Sequence, residues 1–279
     1  MGWEDERSAE RCANALVPEL PVNVDMSVVL LVVLAAAGTI LLVDLIAWRP
    51  RRKIAAQGAP AREPVAVSYA RSLFPVLLVV VLFRAFLFEP FRIPSASMMP
   101  GLVDGDFILV NKFTYGLRLP LLNTKVLSIG APRRGDVIVF RAPSEPINLI
   151  KRLVGLPGDH VEVRSNQVFI NGQPIPLAPE GSYDGGYGFT GSELRKERFG
   201  DTEHVIMLAP ERFSADFDGV VPAGHYFFMG DNRNDSEDSR FAKVGFVAED
   251  RLVGRALRIW MNWRIPGWPD FRRVGLPIN

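Results

Sequence analysis

Two apolar segments near the amino terminus limit most strongly how this chain can fold. Met26 to Val43 is uncharged and mostly apolar, and Ser72 to Phe88 is a second such run that only Arg84 interrupts. Because a membrane-spanning helix needs about 20 residues of this kind, both runs predict spans. Acidic residues precede the first run, unlike the basic start of a cleavable signal, so it predicts a retained anchor. The second run is shorter and charged, and it is also compatible with a core helix.

Charged residues on either side of these runs predict the orientation. Acidic side chains predominate in residues 1–25, whereas the charged residues of 49–71 are almost all arginine or lysine. Basic loops remain on the cytoplasmic side of a membrane, so we expect both chain ends to face the opposite side. The predicted organisation is an acidic amino-terminal segment (1–25), a first transmembrane helix (26–48), a basic cytoplasmic loop (49–71), a second transmembrane helix (72–90) and an outer domain (91–279).

The outer domain carries the pattern of antiparallel β structure. Phe107–Val110 and Val137–Phe140 are short apolar runs that each follow a Gly-Asp turn signal, and a third run surrounds Lys151. The segments 161–164 and 168–172 predict a hairpin. A polar, glycine-rich region predicts a smaller β insertion at about 165–220. The expected fold class is therefore two amino-terminal transmembrane helices followed by a mostly antiparallel β domain.

The carboxyl-terminal part of the chain mixes tryptophan with arginine, as in Trp260, Trp263, Arg264 and Trp268. Two interpretations remain open for this stretch. Such a surface suits the bilayer interface, where indole rings lie at the depth of the lipid headgroups. A strand that buries its tryptophans in the core has the same composition.

Composition and residue spacing exclude several functional classes. The formal net charge is +1, so nothing predicts nucleic-acid binding. A single cysteine, Cys12, excludes an internal disulfide and a cysteine-rich metal site. His160, His204 and His225 lack the spacing that is typical of metal ligands. We therefore expect no metal and no cofactor.

Ser97 and Lys151 are the strongest candidates for chemistry. Ser97 closely follows the second apolar run, in the stiff segment Pro94–Pro100, so its hydroxyl is expected near a membrane surface. No GxSxG elbow surrounds it, and no Asp-His pair is evident, since His160 lies in a Gly-Pro turn with nothing to orient it. Lys151 lies in an apolar run, and burial there lowers a lysine pKa by up to about 3–5 units. A neutral lysine beside a serine activates that serine as a nucleophile.

A third segment, Met229–Arg240, is rich in turn-forming and charged residues. A calcium loop is excluded, because Arg233 occupies the place of an oxygen ligand and no glycine stands at the sixth position. A loop of this composition is suited to brace a site instead. Ser236 in this loop is a candidate to hydrogen-bond the lysine nitrogen and direct it towards Ser97.

Five segments of the chain form a pattern: Pro94–Pro100, Gly105–Val110, Arg134–Val137, Ile150–Asp159 and Gly230–Arg240. Each motif is weak alone, but together they are specific. In this order they resemble the segments of bacterial type I signal peptidases, and two amino-terminal anchors precede them as in Gram-negative members. The resemblance covers residues 72 to about 256 and implies a Ser-Lys endopeptidase that removes signal peptides from translocated preproteins, with a catalytic domain made of two antiparallel sheets.

The resemblance also implies roles for individual residues. Ser97 is the expected nucleophile and Lys151 the expected general base, acting through an acyl-enzyme. The Ser97 N–H and the Ser95 hydroxyl are the expected oxyanion donors, and Ser236 is expected to orient the lysine. Loop support is expected from an ion pair of Asp238 with Arg240, and two shallow pockets for small residues (Ala-X-Ala) from Phe91, Ile93, Pro94, Met98, Leu102, Ile108, Leu149 and Ile150. 

The chain departs from the family pattern at Asn234-Asp235, where the family usually has Asp before Asn, and the insertion lacks a cysteine pair. The implied partners are signal peptides of exported preproteins, the lipid bilayer and the secretion translocon. The implied location is the bacterial inner membrane, multi-pass, with a periplasmic catalytic domain. A self-cleaving repressor-type peptidase needs a DNA-binding segment, and this chain has membrane anchors instead. A non-catalytic, membrane-tethered envelope β-domain that binds peptides or partner proteins remains the alternative.

Overall fold

The structure is a computed structural model that describes residues 26–55, 63–118, 125–127, 129–186, 188–264 and 267–279. The predicted acidic segment 1–25 and residues 56–62 of the predicted basic loop lie outside these described residues. The chain forms two compact units, Met1–Leu82 and Phe83–Asn279.

Two apolar helices dominate the amino-terminal part of the described chain. Helix α1 (Met26–Val43) continues through a π-helical turn (Asp44–Trp48) into helix α2 (Arg49–Ala55), and helix α3 spans Val65–Phe86. Val28–Arg52 and Val65–Arg84 are long and apolar enough to cross a membrane, and only 11% of the most apolar window of each is buried. Because the core helix of a soluble protein is mostly buried, this exposure favours a membrane span over a core helix for the second run.

The second helix has different limits from those expected. It begins at Val65 rather than Ser72, and Phe88 to Pro90, which we expected to be helical, belong to a strand. No proline or glycine interrupts residues 65–71, so the helix extends into this more polar segment. At the other end, Pro90 disfavours the helical conformation at Glu89, so the helix ends before that residue.

One acidic side chain, Asp44, is buried where α1 ends. Arg52 lies 2.6 Å from its Oδ1 atom, and Arg71 of α3 lies 3.8 Å from its Oδ2 atom. Because a buried carboxylate is costly unless it is paired, these arginines allow the helix to continue past Asp44. The helical chain continues to Ala55, beyond residue 48, where the first transmembrane helix was predicted to end.

Short strands make up most of the second unit. The Gly-Asp signals and apolar runs correctly predicted strands at 107–110, at 137–140 and around Lys151. The strands are β1 (Phe88–Arg92), β2 (Asp106–Asn111), β3 (Leu117–Arg118), β4 (Lys125–Leu127), β5 (Val137–Arg141), β6 (Asn148–Gly155), β7 (His160–Arg164), β8 (Gln167–Ile170), β9 (Gln173–Pro174), β10 (Leu177–Ser182), β11 (Glu193–Phe199), β12 (Thr202–Leu208), β13 (Phe217–Val220), β14 (His225–Met229), β15 (Val247–Ala248) and β16 (Leu252–Asn262).

A seven-stranded antiparallel sheet forms the centre of this unit, in the order β1-β2-β16-β5-β6-β14-β15. Its strand β5 is buried on both faces, which explains why residues 137–140 read as a continuous apolar run. Val137 and Val139 pack in one core cluster with Ile150, whereas Ile138 and Phe140 pack in another. Alternation along the strand therefore assigns the two clusters to opposite faces of the sheet.

The strands outside the large sheet form smaller sheets. Strands β13-β7-β8-β9 form a four-stranded sheet, β10-β11-β12 a three-stranded sheet, and β3-β4 a two-stranded sheet. The predicted hairpin of β7 and β8 is confirmed, and Ser165 and Asn166 at its tip have φ values of 48° and 67°, as a type I′ turn requires. Strand β7 pairs with β13 as well, so the small sheet takes in a strand that precedes the predicted insertion at 165–220.

Strands β16 and β2 are packed closely at Gly254 of β16. A Cβ atom at this position would collide with the carbonyl oxygen of Asn111 and approach the Val110 side chain to 2.9 Å. We expect Gly254→Ala to lower the free energy of unfolding by about 1–3 kcal/mol, because backbone cannot move aside as a flexible side chain does.

The measurement is denaturant unfolding of the full chain in detergent. Gly101→Ala is the matched control, since a Cβ there would meet no atom closer than 3.7 Å. Equal stability of the two variants would contradict this description of the sheet.

Candidate active site

Ser97 lies in the loop between β1 and β2, and the loop is held at its base and along its length. Ile93 N donates to Asp106 O at 2.8 Å, which closes the base. Met98 is buried in the core cluster of the large sheet, whereas Met99 is buried in a second cluster with Met207. Two consecutive side chains anchored in different clusters therefore fix the backbone that carries Ser97.

Lys151 lies in β6 opposite Ile138 of β5, and its side chain reaches the serine. A hydrogen bond of 2.6 Å joins Lys151 Nζ and Ser97 Oγ. Lys151 is only 3% exposed and Ser97 7%. The sequence-predicted nucleophile and base, 54 positions apart, are thus in direct contact inside the protein.

Burial lowers the pKa of Lys151 from 10.5 to about 8. Loss of hydration is the main cause, since a buried ammonium has few groups to replace water. The carboxylates of Asp238, Asp231 and Glu237 oppose this change, and Arg240 adds to it. With this pKa, about a tenth of the lysine is neutral at pH 7, and only this uncharged form is able to act as a general base.

Part of the β6 edge beside Lys151 carries no strand. Strand β14 pairs with Arg152, Leu153 and Gly155, and within the described residues no strand continues this pairing along 148–151. An extended peptide is able to add to an edge of this kind through main-chain hydrogen bonds.

Residues 230–240, here called the bracing loop, hold the backbone of the serine loop. Asn232 N donates to Ser97 O at 3.1 Å, and Asn232 Nδ2 donates to Ala96 O at 3.2 Å. Gly230 lies so close that a Cβ atom on it would approach Ser97 O to 2.5 Å. Sequence reasoning assigned no role to Asn232 or Gly230, because their contacts reach a distant part of the chain, 136 positions away for Asn232 and Ala96.

A buried ion pair joins the bracing loop to the strand of the lysine. Arg152 donates from Nε and Nη2 to the two carboxylate oxygens of Asp231, each at 2.7 Å, and from Nη1 to Gly135 O at 2.7 Å. Such a two-point contact fixes orientation as well as distance. The only sequence signal for this pair was the position of Arg152 directly after Lys151.

The predicted partners Asp238 and Arg240 form an ion pair inside the loop. Arg240 Nε and Nη2 each lie 2.8 Å from a carboxylate oxygen of Asp238. The same carboxylate accepts from Gly230 N at 2.9 Å, and Arg240 Nη2 donates to Arg233 O at 2.7 Å. These contacts tie the start, middle and end of the bracing loop together.

The two further serines expected at the site occupy different surroundings. Ser95 Oγ lies 3.3 Å from Ser97 Oγ and is exposed. Ser236 Oγ is buried against Gly230 and has no hydrogen-bond partner among the described residues. The orienting role expected for Ser236 thus stays a prediction.

The residues expected to line substrate pockets are only partly brought together. Five of them are buried in the core cluster on one face of the large sheet, and Phe91 packs against it. Leu149 packs instead with the cluster around Phe140 and Leu153, and Pro94 is exposed. The five clustered residues are Ile93, Met98, Leu102, Ile108 and Ile150.

The three histidines lie on strands β7, β12 and β14, none of which carries the serine or the lysine. His160 contacts Asp218 at 2.6 Å near the surface, and His204 is buried beside Glu197 at 3.0 Å. Across the described ranges, no three His, Cys, Asp or Glu side chains are grouped as metal ligands would be. At the position where the chain departs from the family pattern, Asn234 accepts from Ala209 N at 3.0 Å and donates to Phe213 O at 3.1 Å.

Comparison with known proteins gives consistent matches. The family described as "Signal peptidase, peptidase S26" matches residues 66–261. The signal peptidase I of Pseudomonas aeruginosa is 43% identical, covering 91% of this chain and 99% of the relative. That of Haemophilus influenzae is 35% identical, covering 72% of this chain and 71% of the relative. A solved signal peptidase I from Enterococcus faecalis V583 is 31% identical, covers 46% of this chain and 98% of its own, and has a TM-score of 0.29.

The lowered pKa of Lys151 predicts a pH-dependent stability. Between about 8 and 10.5 the unfolded lysine binds a proton that the folded one has released, so its contribution to stability rises with pH across this window. Below it, the buried ammonium costs about 3 kcal/mol. We expect Lys151→Met to remove this cost and to unfold at higher denaturant concentration than the wild type at neutral pH.

Denaturant unfolding of both proteins at neutral and alkaline pH measures the effect. The stability difference should shrink as the pH rises towards 10.5. Lys243, exposed and paired with Glu145 and Glu237, supplies the control Lys243→Met, which should not stabilise the protein. A Lys151→Met advantage that is absent at neutral pH would show that the amine is not desolvated.

Proposed function

Because the chain belongs to the signal peptidase family S26, we propose that it is a membrane-bound serine endopeptidase that cleaves signal peptides from exported preproteins, with Ser97 as nucleophile and Lys151 as general base. The supporting observation is the 2.6 Å contact between these two buried groups. No other pair of side chains at this site combines a nucleophile with a base of suitably lowered pKa in the described chain.

Acylation begins when neutral Lys151 accepts the Ser97 proton. Ser97 Oγ then attacks the carbonyl carbon of the peptide bond, and the C=O electrons move onto oxygen. The Ser97 N–H and the Ser95 hydroxyl donate to this oxyanion; Ser95 Oγ lies 3.3 Å from the nucleophile, which supports the assignment. Ser236 is the proposed orienting group for the lysine, which is supported by the close approach of both Ser236 Oγ and Ser97 O to Gly230.

Collapse of the tetrahedral intermediate breaks the C–N bond. The ammonium of Lys151 gives its proton to the leaving amine, so that the mature protein departs and an acyl-enzyme on Ser97 remains. The neutral lysine then takes a proton from water, which attacks the ester carbonyl. A second collapse releases the signal peptide as a carboxylic acid and restores the Ser97 hydroxyl.

Specificity for small residues follows from the shape of the substrate groove. An extended Ala-X-Ala segment adds to the free edge at 148–151, so that alternate side chains point into the protein. The buried apolar cluster that contains Ile93, Met98 and Ile150 supports this proposal, since close-packed apolar side chains would offer shallow pockets that fit small side chains. Selection is therefore largely by exclusion of bulky residues.

We further propose a multi-pass arrangement in the bacterial inner membrane. The basic character of 49–71 supports a cytoplasmic loop and a periplasmic catalytic domain (91–279). Trp260, Trp263 and Trp268 are 43%, 39% and 94% exposed, which supports the lipid-interface interpretation over a core strand. The lipid bilayer and the secretion translocon are then the partners of the enzyme besides its substrates.

Substitution of either catalytic residue tests the proposal most directly. Ser97→Ala removes the attacking oxygen and Lys151→Ala removes the base, so each should reduce preprotein cleavage by about 10³-fold or more. Cleavage of an Ala-X-Ala preprotein by purified full-length enzyme in detergent is the measurement.

Two surface substitutions serve as matched controls. Ser144→Ala and Lys243→Ala remove the same side-chain types at exposed positions and should keep wild-type rates. Full activity of Ser97→Ala would favour the non-catalytic alternative, as would a wild-type protein that cuts no preprotein.

The pH dependence of cleavage should report the lysine. Only neutral Lys151 accepts a proton, so kcat/KM should rise with pH through about 8 and then level off. Below that value we expect a fall of about tenfold per pH unit. Initial rates over a range that brackets this pKa measure it, and a rate that increases as the pH falls would exclude lysine as the base.

A further inference from the structure

A fully buried carboxylate lies in the insertion, outside the catalytic groups named above. Glu197 of β11 has no exposed surface, and Arg233 of the bracing loop lies 2.5 Å from its Oε2 atom. The ring of His204 on the neighbouring strand β12 lies 3.0 Å from the same oxygen. The residues of this cluster come from the insertion and from the bracing loop, so they connect two distant parts of the sequence.

The charges of the cluster are balanced by direct contact. Burial alone would raise the pKa of Glu197, but the adjacent guanidinium of Arg233 and the His204 ring outweigh it and hold the pKa at about 2. Burial lowers the pKa of His204, so its ring is neutral at physiological pH. Glu197 and Arg233 therefore form a buried ion pair, and removal of either partner leaves the other charge without compensation.

Backbone hydrogen bonds also link strand β12, which carries His204, to the bracing loop. Met207 N donates to Asp231 O at 2.9 Å, and Arg233 N donates to Met207 O at 3.0 Å. Asn232, between these two bonds, donates from its own N–H to Ser97 O at 3.1 Å. Through Asn232, strand β12 of the insertion is therefore connected to the backbone of Ser97.

Side-chain packing makes the same connection. Met207 of β12 and Met99 of the serine loop are both fully buried in one cluster, which also includes Val103 and Phe189. The insertion therefore contacts the serine loop through an apolar cluster and the bracing loop through an ion pair. Both contacts limit movement of the two segments that meet at Ser97 O.

We propose that Glu197 is a positioning residue for the nucleophile. By holding Arg233 it fixes Asn232 against the carbonyl of Ser97, and so sets the position of the serine relative to Lys151. The insertion is then part of the support of the catalytic centre. This inference rests on the proposed function and adds a residue to it that has no contact with substrate.

Positioning has a kinetic consequence that stability alone lacks. A shift of about 1 Å in a reacting group costs up to about 10²-fold in rate. The substrate is proposed to add to the edge of β6 in the large sheet, whereas Glu197 lies on β11 in the separate three-stranded sheet, so substrate binding should be preserved. Loss of Glu197 should therefore lower kcat of the folded enzyme and leave KM nearly unchanged.

The experiment compares Glu197→Gln, Glu197→Asp and Glu193→Gln in the full-length chain in detergent. Glu193 is the matched control, because it lies on the same strand and pairs with Arg195 at 2.8 Å but is only partly buried. Kinetic constants are measured well below the unfolding temperature of each variant. Hydrogen–deuterium exchange of the segment containing Asn232 supplies a readout that does not depend on activity.

We expect Glu197→Gln to lower kcat by about 10–100-fold with KM within about twofold of wild type. The Asn232 amide should exchange faster, and Glu193→Gln should match the wild type in both readouts. Glu197→Asp keeps the charge and should recover part of the kcat. If Glu197→Gln does not fold, the aspartate variant decides, through an intermediate kcat and faster exchange.

Wild-type kcat in a folded Glu197 variant, with only a lower unfolding temperature, overturns the inference. Unchanged exchange at Asn232 overturns it as well, whether or not the protein cleaves preproteins. A wild-type chain without cleavage activity contradicts the proposed function, whereas these two results leave that function intact.

Discussion

The loss of water around one amine, that of Lys151, is the constraint on which the rest of the proposed catalytic site depends. The amine is useful beside Ser97 only when it is uncharged, yet carboxylates surround it. Asp231 and Asp238 would draw its pKa upward, and each has its own arginine, Arg152 and Arg240. Pairing each carboxylate with a guanidinium supplies rigid loop contacts without leaving excess negative charge near the lysine.

Rigidity of the serine loop comes from several independent sources. Met98 and Met99 are anchored in separate clusters, and Asn232 holds the carbonyl of Ser97. The bracing loop is in turn held by its internal ion pair and by strand β12. The Ser97 hydroxyl and the Lys151 amine are both buried, so water cannot replace their hydrogen bond if the loop moves. Their contact therefore needs such support.

Sequence signals predicted the strands and the contact of Ser97 with Lys151, but not the contacts of the bracing loop with the insertion. Apolar runs after Gly-Asp turns identified β2 and β5, and the apolar surroundings of Lys151 indicated a buried amine, because these signals lie within a few residues. Glu197 stands in a strand so rich in charge that it resembles a solvated surface, and its partner is 36 positions away. The contact of Asn232 with Ser97 O is a backbone hydrogen bond, so no residue type in the sequence indicates it. The start of α3 was placed too late, because helix continues through polar residues that hydropathy alone does not mark.

The free edge of β6 has a consequence for any preprotein that the proposed enzyme cleaves. Such an edge matches a peptide that advances about 3.3 Å per residue, whereas a helix advances about 1.5 Å. A segment that crosses a bilayer as a helix must therefore unwind before its scissile bond reaches the serine. The free energy of that unwinding belongs to the substrate. Residues that break helices just ahead of the bond should make a preprotein a faster substrate than its pocket residues alone would indicate.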